Sequence, residues 1–347
     1  MSENLLFNVL PRPTFRWLRV NHTQGQVLGA TDERANVVIN ANAGVVTPLI
    51  NTELVKATFP GVNPTALQNL ISTGEAHLIT VPANGKEVVI IEVNAAKRIA
   101  SRFQFHVGDR AELEVLILMT GDAKDTSVET FTEFIIGEEA NVVVKKVNLI
   151  SEELQQIEHR YTKLADRANV EFINIEIGGK ENILHFEQDL AGEECELIHD
   201  LAYLGDKEQK FDISMLMSHG GKKSKSDIHT LGALSDVSKK SFRGTLDFLH
   251  GATGSEGAEE DTCLLLDPTV KSVSLPLLLC KEDNVVGNHA ASAGQLDKTK
   301  LFYLMSRGFS EAEAKHIIVE SMIRPIIDRI GNEDIEEAAL TAVRNKI

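Results

Sequence analysis

A short unit recurs through the middle of the chain at a nearly constant spacing, and it constrains the fold more than any other feature. Each unit has a small residue, a charged turn and a second small residue, followed by a strand-like run. The units begin at Gly108, Gly137, Ala165 and Gly192, so their starts lie 29, 28 and 27 residues apart. A near-fixed period of this kind is typical of a stacked solenoid, in which each coil buries its apolar face against the next coil.

The runs between these turns alternate apolar and polar residues, which is the pattern of a β-strand with one buried face. The clearest runs cover residues 111–119, 129–136, 141–150, 169–177 and 182–190. The period is too long for one coil of a simple hexapeptide β-helix, and it suits a coil that contains two or more strands. The pattern therefore predicts an all-β solenoid. A β-sandwich with regularly spaced hairpins is the alternative that gives a similar pattern.

Both ends of the chain differ from this middle part. Residues 1–100 are mixed, with a helix expected at 63–72 between strand-like runs at 76–81 and 87–93. Residues 296–347 are helical in pattern, with a first helix that ends before Gly308 and a capping box that opens a second at Ser310. We expect Pro325 to kink or end the second helix, and a third helix to cover 333–344. The predicted domains are 1–100, 101–295 and 296–347.

Charge and cysteine content limit the environment and the partners. The 347 residues carry a formal net charge of −16, which disfavours nucleic acid and anionic membranes as partners. Three cysteines without close spacing argue against a disulfide framework or a structural zinc site. The N-terminus has no signal-peptide pattern, and no run of apolar residues is long enough to span a bilayer. These features predict a cytoplasmic protein.

The motifs of common catalytic sites are missing. The glycine-rich segment 251–257 lacks the lysine of a phosphate-binding loop, and the sequence contains no Rossmann fingerprint, serine elbow or zinc-protease motif. We therefore expect no active site. His289 lies among small residues that would leave its ring accessible, and Cys280 precedes it by nine residues. Imidazole and thiolate both bind iron, although a free cysteine is often only a small buried apolar residue.

The segment around His289 resembles a known family. Residues 288–297 followed by 301–308 (LFYLMSRG) closely resemble the C-terminal signature of the SufB/SufD family of iron–sulfur cluster assembly. Residues 242–266 are similar to the family segment that begins with Phe-Arg/Lys-Gly and ends in three leucines, and LPRPTFRW at 10–17 is similar to its SufD-type opening. The resemblance covers most of residues 100–330.

This resemblance implies a fold and a set of partners. Family members form a right-handed parallel β-helix flanked by helices, and they assemble with SufC, an ABC-type ATPase that supplies the nucleotide chemistry. The implied function is that of a scaffold subunit that builds a transient iron–sulfur cluster with a SufB- or SufD-type partner or a second copy of itself, and with a sulfur donor protein. The implied docking residues for SufC lie in the C-terminal helices, at Leu301, Phe302, Tyr303, Leu304, Arg307 and Gly308.

Several positions depart from the family pattern. His289 matches the histidine that a SufD-type chain contributes to a cluster, but Val270 takes the place of the SufB-type cysteine and Ala290 follows the histidine. The chain is therefore more similar to SufD or to a short member of a minimal system. A cysteine ligand would have to come from Cys280 or Cys263. Glu282 and Asp283 are further candidate oxygen donors.

Three functional hypotheses remain open on the sequence alone. The first is a cluster scaffold that uses His289 and Cys280 as ligands and forms a dimer through an open strand at the end of the solenoid. The second is a structural, SufD-like subunit that binds no cluster. The third is a carbohydrate-active β-helix enzyme, which the single tryptophan and three tyrosines disfavour because such enzymes stack sugars on aromatic rings.

Overall fold

The fold was analysed in a computed structural model of the chain. It describes residues 4–12, 16–26, 37–49, 54, 59, 61–62, 64–73, 75–96, 98–124 and 126–347. Residues 13–15 of the predicted family-like opening and residue 63, where the first helix was expected to begin, lie outside the described residues.

The described chain forms twenty-one strands and four α-helices. A 3-10 helix covers Arg16–Leu18. The strands are β1 Asn4–Phe7, β2 Thr23–Gln26, β3 Val37–Asn40, β4 Val46–Pro48, β5 Glu75–Val81, β6 Lys86–Asn94, β7 Ile99–Val107, β8 Glu112–Thr120, β9 Ser127–Ile136, β10 Asn141–Asn148, β11 Gln155–Leu164, β12 Asn169–Glu176, β13 Glu181–Leu190, β14 Glu196–Gly205, β15 Lys210–His219, β16 Lys225–Leu234, β17 Lys239–Phe248, β18 Glu256–Leu265, β19 Lys271–Ser274, β20 Leu277–Cys280 and β21 Val286–Gln295. The helices are α1 Pro64–Thr73, α2 Lys298–Ser306, α3 Glu311–Ile327 and α4 Glu333–Asn345.

Successive strands alternate between two facing sheets, and this alternation makes the solenoid. A nine-stranded sheet runs in the order β21-β18-β16-β14-β12-β10-β8-β6-β3, and a ten-stranded sheet carries the strands between them. Every pairing from β5 and β6 onward is parallel, and only β3 and β4 pair antiparallel at the N-terminal end of the two sheets. The chain is a parallel β-solenoid of about eight coils, which confirms the predicted fold and rules out the β-sandwich alternative.

The repeated turns explain why the sequence period is so regular. The turn has the same backbone geometry in each unit. Its last charged residue adopts the left-handed conformation, with φ between 55° and 57° at Arg110, Glu139, Arg167 and Glu194. Each turn is also tied to a neighbouring one. The Oδ1 atom of Asp109 accepts a hydrogen bond from the backbone N–H of Glu138 at 3.0 Å. Each coil therefore positions the turn of the next coil, and one coil with its two strands sets the period of 27 to 29 residues.

Apolar side chains from both sheets fill the solenoid, but its interior also holds a cluster of buried charges. We call Lys146, Glu158, Arg160 and Glu176 the interior charge cluster, and all four are at most 3% exposed. Lys146 donates to both Glu158 and Glu176, and the Arg160 guanidinium donates to Glu158 at 2.6 Å. The two positive and two negative charges balance. Burial raises the pKa of Glu158, but the charges of Lys146 and Arg160 outweigh it and lower the pKa to about 2.

The outer faces of the two sheets are covered by different parts of the chain. Residues of α1 and of the β1–β2 hairpin pack on the ten-stranded sheet, where Phe59 contacts Phe131 and Tyr161 edge-on. Helices α3 and α4 pack on the nine-stranded sheet through Val319, Ile323 and Leu340. Within the part of the chain that the structure describes, no helix is both long and apolar enough to cross a membrane.

The C-terminal helices agree with the sequence pattern, and α3 continues past its proline. The predicted capping box is present, since Ser310 and Glu313 bond each other's backbone N–H groups at the start of α3. The helix continues two residues beyond Pro325 to Ile327. Helical bonding resumes directly after the proline, because the N–H of Asp328 donates to the carbonyl of Arg324 at 2.8 Å.

Candidate functional site

His289 lies on β21, the last strand of the nine-stranded sheet. This strand pairs in parallel with β18 on one side, and it ends the strand order of the sheet. The His289 side chain is exposed, as are most residues of the strand. The backbone of β21 has no further strand of the described chain to pair with on its outer edge. This end of the solenoid therefore presents an open strand lined with small side chains and one imidazole.

Cys280 lies at the same end of the solenoid but on the other sheet. It is the last residue of β20, it pairs with Phe248 of β17, and its thiol is free and exposed. The two sheets approach each other closely here, because a Cβ on Gly287 would come within 2.6 Å of Leu278. The structure thus places His289 and Cys280 on facing sheets. No group of three or more histidine, cysteine, aspartate or glutamate side chains within the described residues could hold a metal by itself.

The other sequence candidates lie in turns or in the core. Val270 occupies the turn before β19 and packs partly buried against the core, so this position supplies no ligand atom. Glu282 lies in the turn between β20 and β21, where its carboxylate accepts a hydrogen bond from the N–H of Gly251 at 3.0 Å. That bond is the main reason that the pKa of Glu282 is lowered. Cys263 is buried, whereas Asp283 is exposed in the same turn as Glu282.

Sequence reasoning missed one acidic residue beside His289. Glu259 of β18 is the register partner of His289, and it is 3% exposed. Its Oε2 atom has no hydrogen-bond partner in the described chain, and burial raises its pKa to about 8. The strict alternation along β18 would have indicated an inward glutamate. The sequence gives no indication that this carboxylate lacks a partner.

The neighbouring inward carboxylate on the same strand is paired, in contrast to Glu259. Asp261 is 1% exposed, but it accepts hydrogen bonds from Lys240, Thr230 and Ser274. Lys240 thereby neutralises Asp261, and no cation among the described residues forms an ion pair with Glu259. Buried carboxylates are normally paired, so an unpaired one next to an exposed imidazole is a candidate ligand.

The predicted docking residues lie on and just after α2. No residue of α2 is buried, and Phe302 and Tyr303 are 72% and 55% exposed. The guanidinium of Arg307 lies 5.3 Å from the centre of the Tyr303 ring. Leu301 and Leu304 are half-buried, and Gly308 ends the helix with φ of +100°.

The exposed side chains near α2 extend into an apolar surface. We define the α2 surface as Phe302, Tyr303, Met305, Phe309 and Ile317, which are all large, apolar or aromatic, and between 39% and 72% exposed. Phe302, Tyr303 and Met305 share helix α2, and exposed large apolar side chains of this kind are typical of protein interaction sites.

Behind this surface, the C-terminal helices are fixed to the solenoid by charged contacts. Arg329, which follows α3, donates to Asp200 and Glu171 of the nine-stranded sheet. Lys346, which follows α4, is 7% exposed at its side chain and contacts Glu152 and Asp206. Charged contacts at their C-terminal ends therefore hold α3 and α4 to the solenoid in addition to their apolar contacts, whereas α2 has no buried residue.

Comparisons with known proteins point to one system. Residues 89–322 match the family model described as SUF system FeS cluster assembly, SufBD core domain. The iron-sulfur cluster assembly protein SufD of Bacillus subtilis (strain 168) is 26% identical over 231 residues, which cover 66% of this chain and 53% of that protein. An iron-sulfur cluster assembly SufBD family protein of Mycobacterium leprae is 25% identical over 210 residues, or 60% of this chain and 24% of that protein. The chain thus spans about half the length of the first relative and a smaller share of the second.

Proposed function

Because this chain belongs to the SufBD family of the SUF iron–sulfur cluster assembly system, we propose that it is a scaffold subunit that holds iron or a nascent cluster at a subunit interface. The observation that carries the proposal is the open end of the solenoid, where His289 is exposed on β21, a strand whose outer edge is unpaired within the described residues. A ligand at an open edge can be shared with a partner, which a ligand in the core cannot.

The exposed Cys280 supports the same proposal. Its free thiol lies at the same end of the solenoid as His289, and thiolate sulfur together with imidazole nitrogen suits iron and iron–sulfur clusters. A cluster between the two facing sheets would need donors from outside this chain as well, because two ligands do not complete a coordination sphere. Family membership is the only support for the part of the proposal that includes a sulfur donor protein.

Anaerobic reconstitution with ferrous iron and sulfide tests the scaffold function. We expect the wild-type protein to develop the broad visible charge-transfer absorption of a thiolate-bound cluster. The variants His289→Ala and Cys280→Ser should each lose most of it, whereas Cys263→Ser, which changes a buried thiol, should keep it. A wild-type protein that shows no absorption, alone and with its partners, would favour the structural subunit that binds no cluster.

We also propose that β21 pairs with a second solenoid. An unpaired strand edge presents backbone donors and acceptors to another chain, and the small side chains of β21 let a partner approach closely. Ala290 and Ser292 lie on the face of β21 opposite to His289. In a two-fold dimer, lysines at these positions would lie near their own copies and repel each other.

Light scattering at micromolar concentration checks this dimer. The wild type alone should give twice the monomer mass, and its complex with SufC should contain two copies of this chain, whereas the variant Ala290→Lys/Ser292→Lys alone should give the monomer mass. A lysine at the exposed Val88, near the other end of the solenoid, is the control and should leave the dimer unchanged. A wild type that remains monomeric under both conditions would contradict the pairing.

The third part of the proposal concerns a SufC-type ATPase. No phosphate-binding loop is present in the sequence, so any nucleotide chemistry has to come from a partner. The α2 surface offers exposed aromatic side chains next to a cation, which are the residue types that dominate binding energy at interfaces. We therefore place SufC docking on the α2 surface.

A further inference from the structure

The open end of the solenoid contains a buried carboxylate that the fold itself does not use. Glu259 is 97% buried, since its exposed fraction is 3%, and its Oε2 atom has no partner in the described chain. A buried charged or polar group without a partner costs free energy, and a bound ion is one of the groups that can satisfy it. The Oε2 atom of Glu259 is therefore available to bind a group from outside the chain.

The register of the last two strands determines what lies beside it. Glu259 and His289 are directly opposite each other in the parallel pair of β18 and β21. Register partners on adjacent strands point to the same face of a sheet, and the strands lie about 4.8 Å apart. The carboxylate and the imidazole therefore project to the same inward face of the sheet, with the carboxylate buried and the imidazole exposed.

The facing sheet leaves room for the Glu259 carboxyl. Gly244 of β17 lies directly against it, because a Cβ on Gly244 would come within 2.1 Å of the Glu259 Cδ atom. Any other residue at 244 would displace the carboxylate. The nearest buried cation, Lys240, is held by Asp261 and Ser274, so it does not neutralise Glu259 by a direct contact.

We propose that Glu259 and His289 together form a half-site for ferrous iron. One carboxylate oxygen and one imidazole nitrogen are donors that suit a divalent first-row metal ion, and two donors leave coordination positions open for sulfide, water or a ligand of a partner chain. This inference rests on the proposed function and deepens it, because it makes Glu259 an iron ligand in addition to His289.

Binding of ferrous iron alone, measured by anaerobic equilibrium dialysis without sulfide, tests this half-site. We expect Glu259→Gln and His289→Ala each to weaken binding at least tenfold. Glu260→Gln is the matched control, because Glu260 is the exposed neighbour on the opposite face of β18, and it should bind iron as the wild type does. Far-UV circular dichroism and thermal melting of Glu259→Gln test whether the variant is folded.

The outcomes separate this inference from the proposed function. If Glu259→Gln is folded and binds ferrous iron as tightly as the wild type, Glu259 is not a ligand, even when the wild type assembles a cluster. If the wild type binds no ferrous iron, the half-site is also wrong. Conversely, selective loss of iron binding in Glu259→Gln supports the half-site even when reconstitution with sulfide yields no cluster.

Discussion

Replacing Lys146 with methionine is expected to lower the free energy of unfolding by about 3–5 kcal/mol, because it leaves a buried glutamate without its cation. Lys146 is 1% exposed and contacts two glutamates of the interior charge cluster, Glu158 and Glu176. Removal of one positive charge leaves a net negative charge in the core. Chemical denaturation at pH 7 measures the change.

The neighbouring lysine provides a control on the same strand. Lys145 points to the outer face and pairs with the half-exposed Glu114 at 2.6 Å, so Lys145→Met should change stability by less than about 1 kcal/mol. The variant Lys146→Met/Glu176→Gln restores the charge balance and should recover much of the loss. If Lys145→Met and Lys146→Met lower the free energy of unfolding equally, the interior charge cluster stabilises the fold no more than an ion pair on the outer face does.

The penalty should depend on pH in a defined direction. The pKa of Glu158 is about 2 in the folded wild type and ordinary in the unfolded chain, so its ion pairs contribute in full above about pH 4.5. This contribution is lost as the pH falls through the folded pKa. The stability difference between wild type and Lys146→Met should therefore be largest at neutral pH and decrease steadily between about pH 4.5 and 2.

Replacing Phe302 with aspartate is expected to weaken binding of a SufC-type ATPase by roughly 30-fold to 1,000-fold. Aromatic residues at the centre of an interface typically contribute about 2–4 kcal/mol, and each 1.4 kcal/mol is tenfold in the dissociation constant. Phe302 is 72% exposed on a helix without buried residues, so the change should not affect the fold. Calorimetric titration with the purified ATPase measures the loss.

A second exposed aromatic residue serves as the control for this surface. Trp17 is 84% exposed in the N-terminal region, and Trp17→Asp introduces the same charge far along the sequence from α2. It should bind the ATPase as tightly as the wild type. Normal binding by Phe302→Asp, or equal losses in both variants, would contradict docking at the α2 surface.

Much of the fold was predictable because its signals are local. The turn at Gly108 and its later copies repeat small and charged residues that suit one backbone geometry, and this repeat predicted parallel coils. The start of α3 was predictable for the same reason, since Ser310 and Glu313 carry a complete capping box. These features depend on residues that lie within a few positions of one another in the sequence.

The site was harder to predict because it depends on pairing between coils. Cys280 and His289 are nine residues apart, but the turn between them sends the chain to the other sheet, so nearness in sequence did not place them on one strand. Glu259 is adjacent to His289 only through the register of β18 and β21, which are 30 residues apart at that position. The four residues of the interior charge cluster likewise come from three different strands, whose contacts no local pattern reveals.

The hydrogen bonds between successive turns have a consequence for how such a chain can change in length. Asp109 fixes the turn at Glu138, and Asp166 fixes the turn at Glu193 in the same way, at 3.0 Å and 2.8 Å. Removal of a few residues from one coil would move its turn away from the aspartate of the neighbouring coil, and removal of an odd number within a strand would also turn the rest of that strand to the wrong face. Removal of one whole coil would restore both. The coil is therefore the unit of permitted insertion and deletion, and the solenoid can be lengthened or shortened only in steps of its own period.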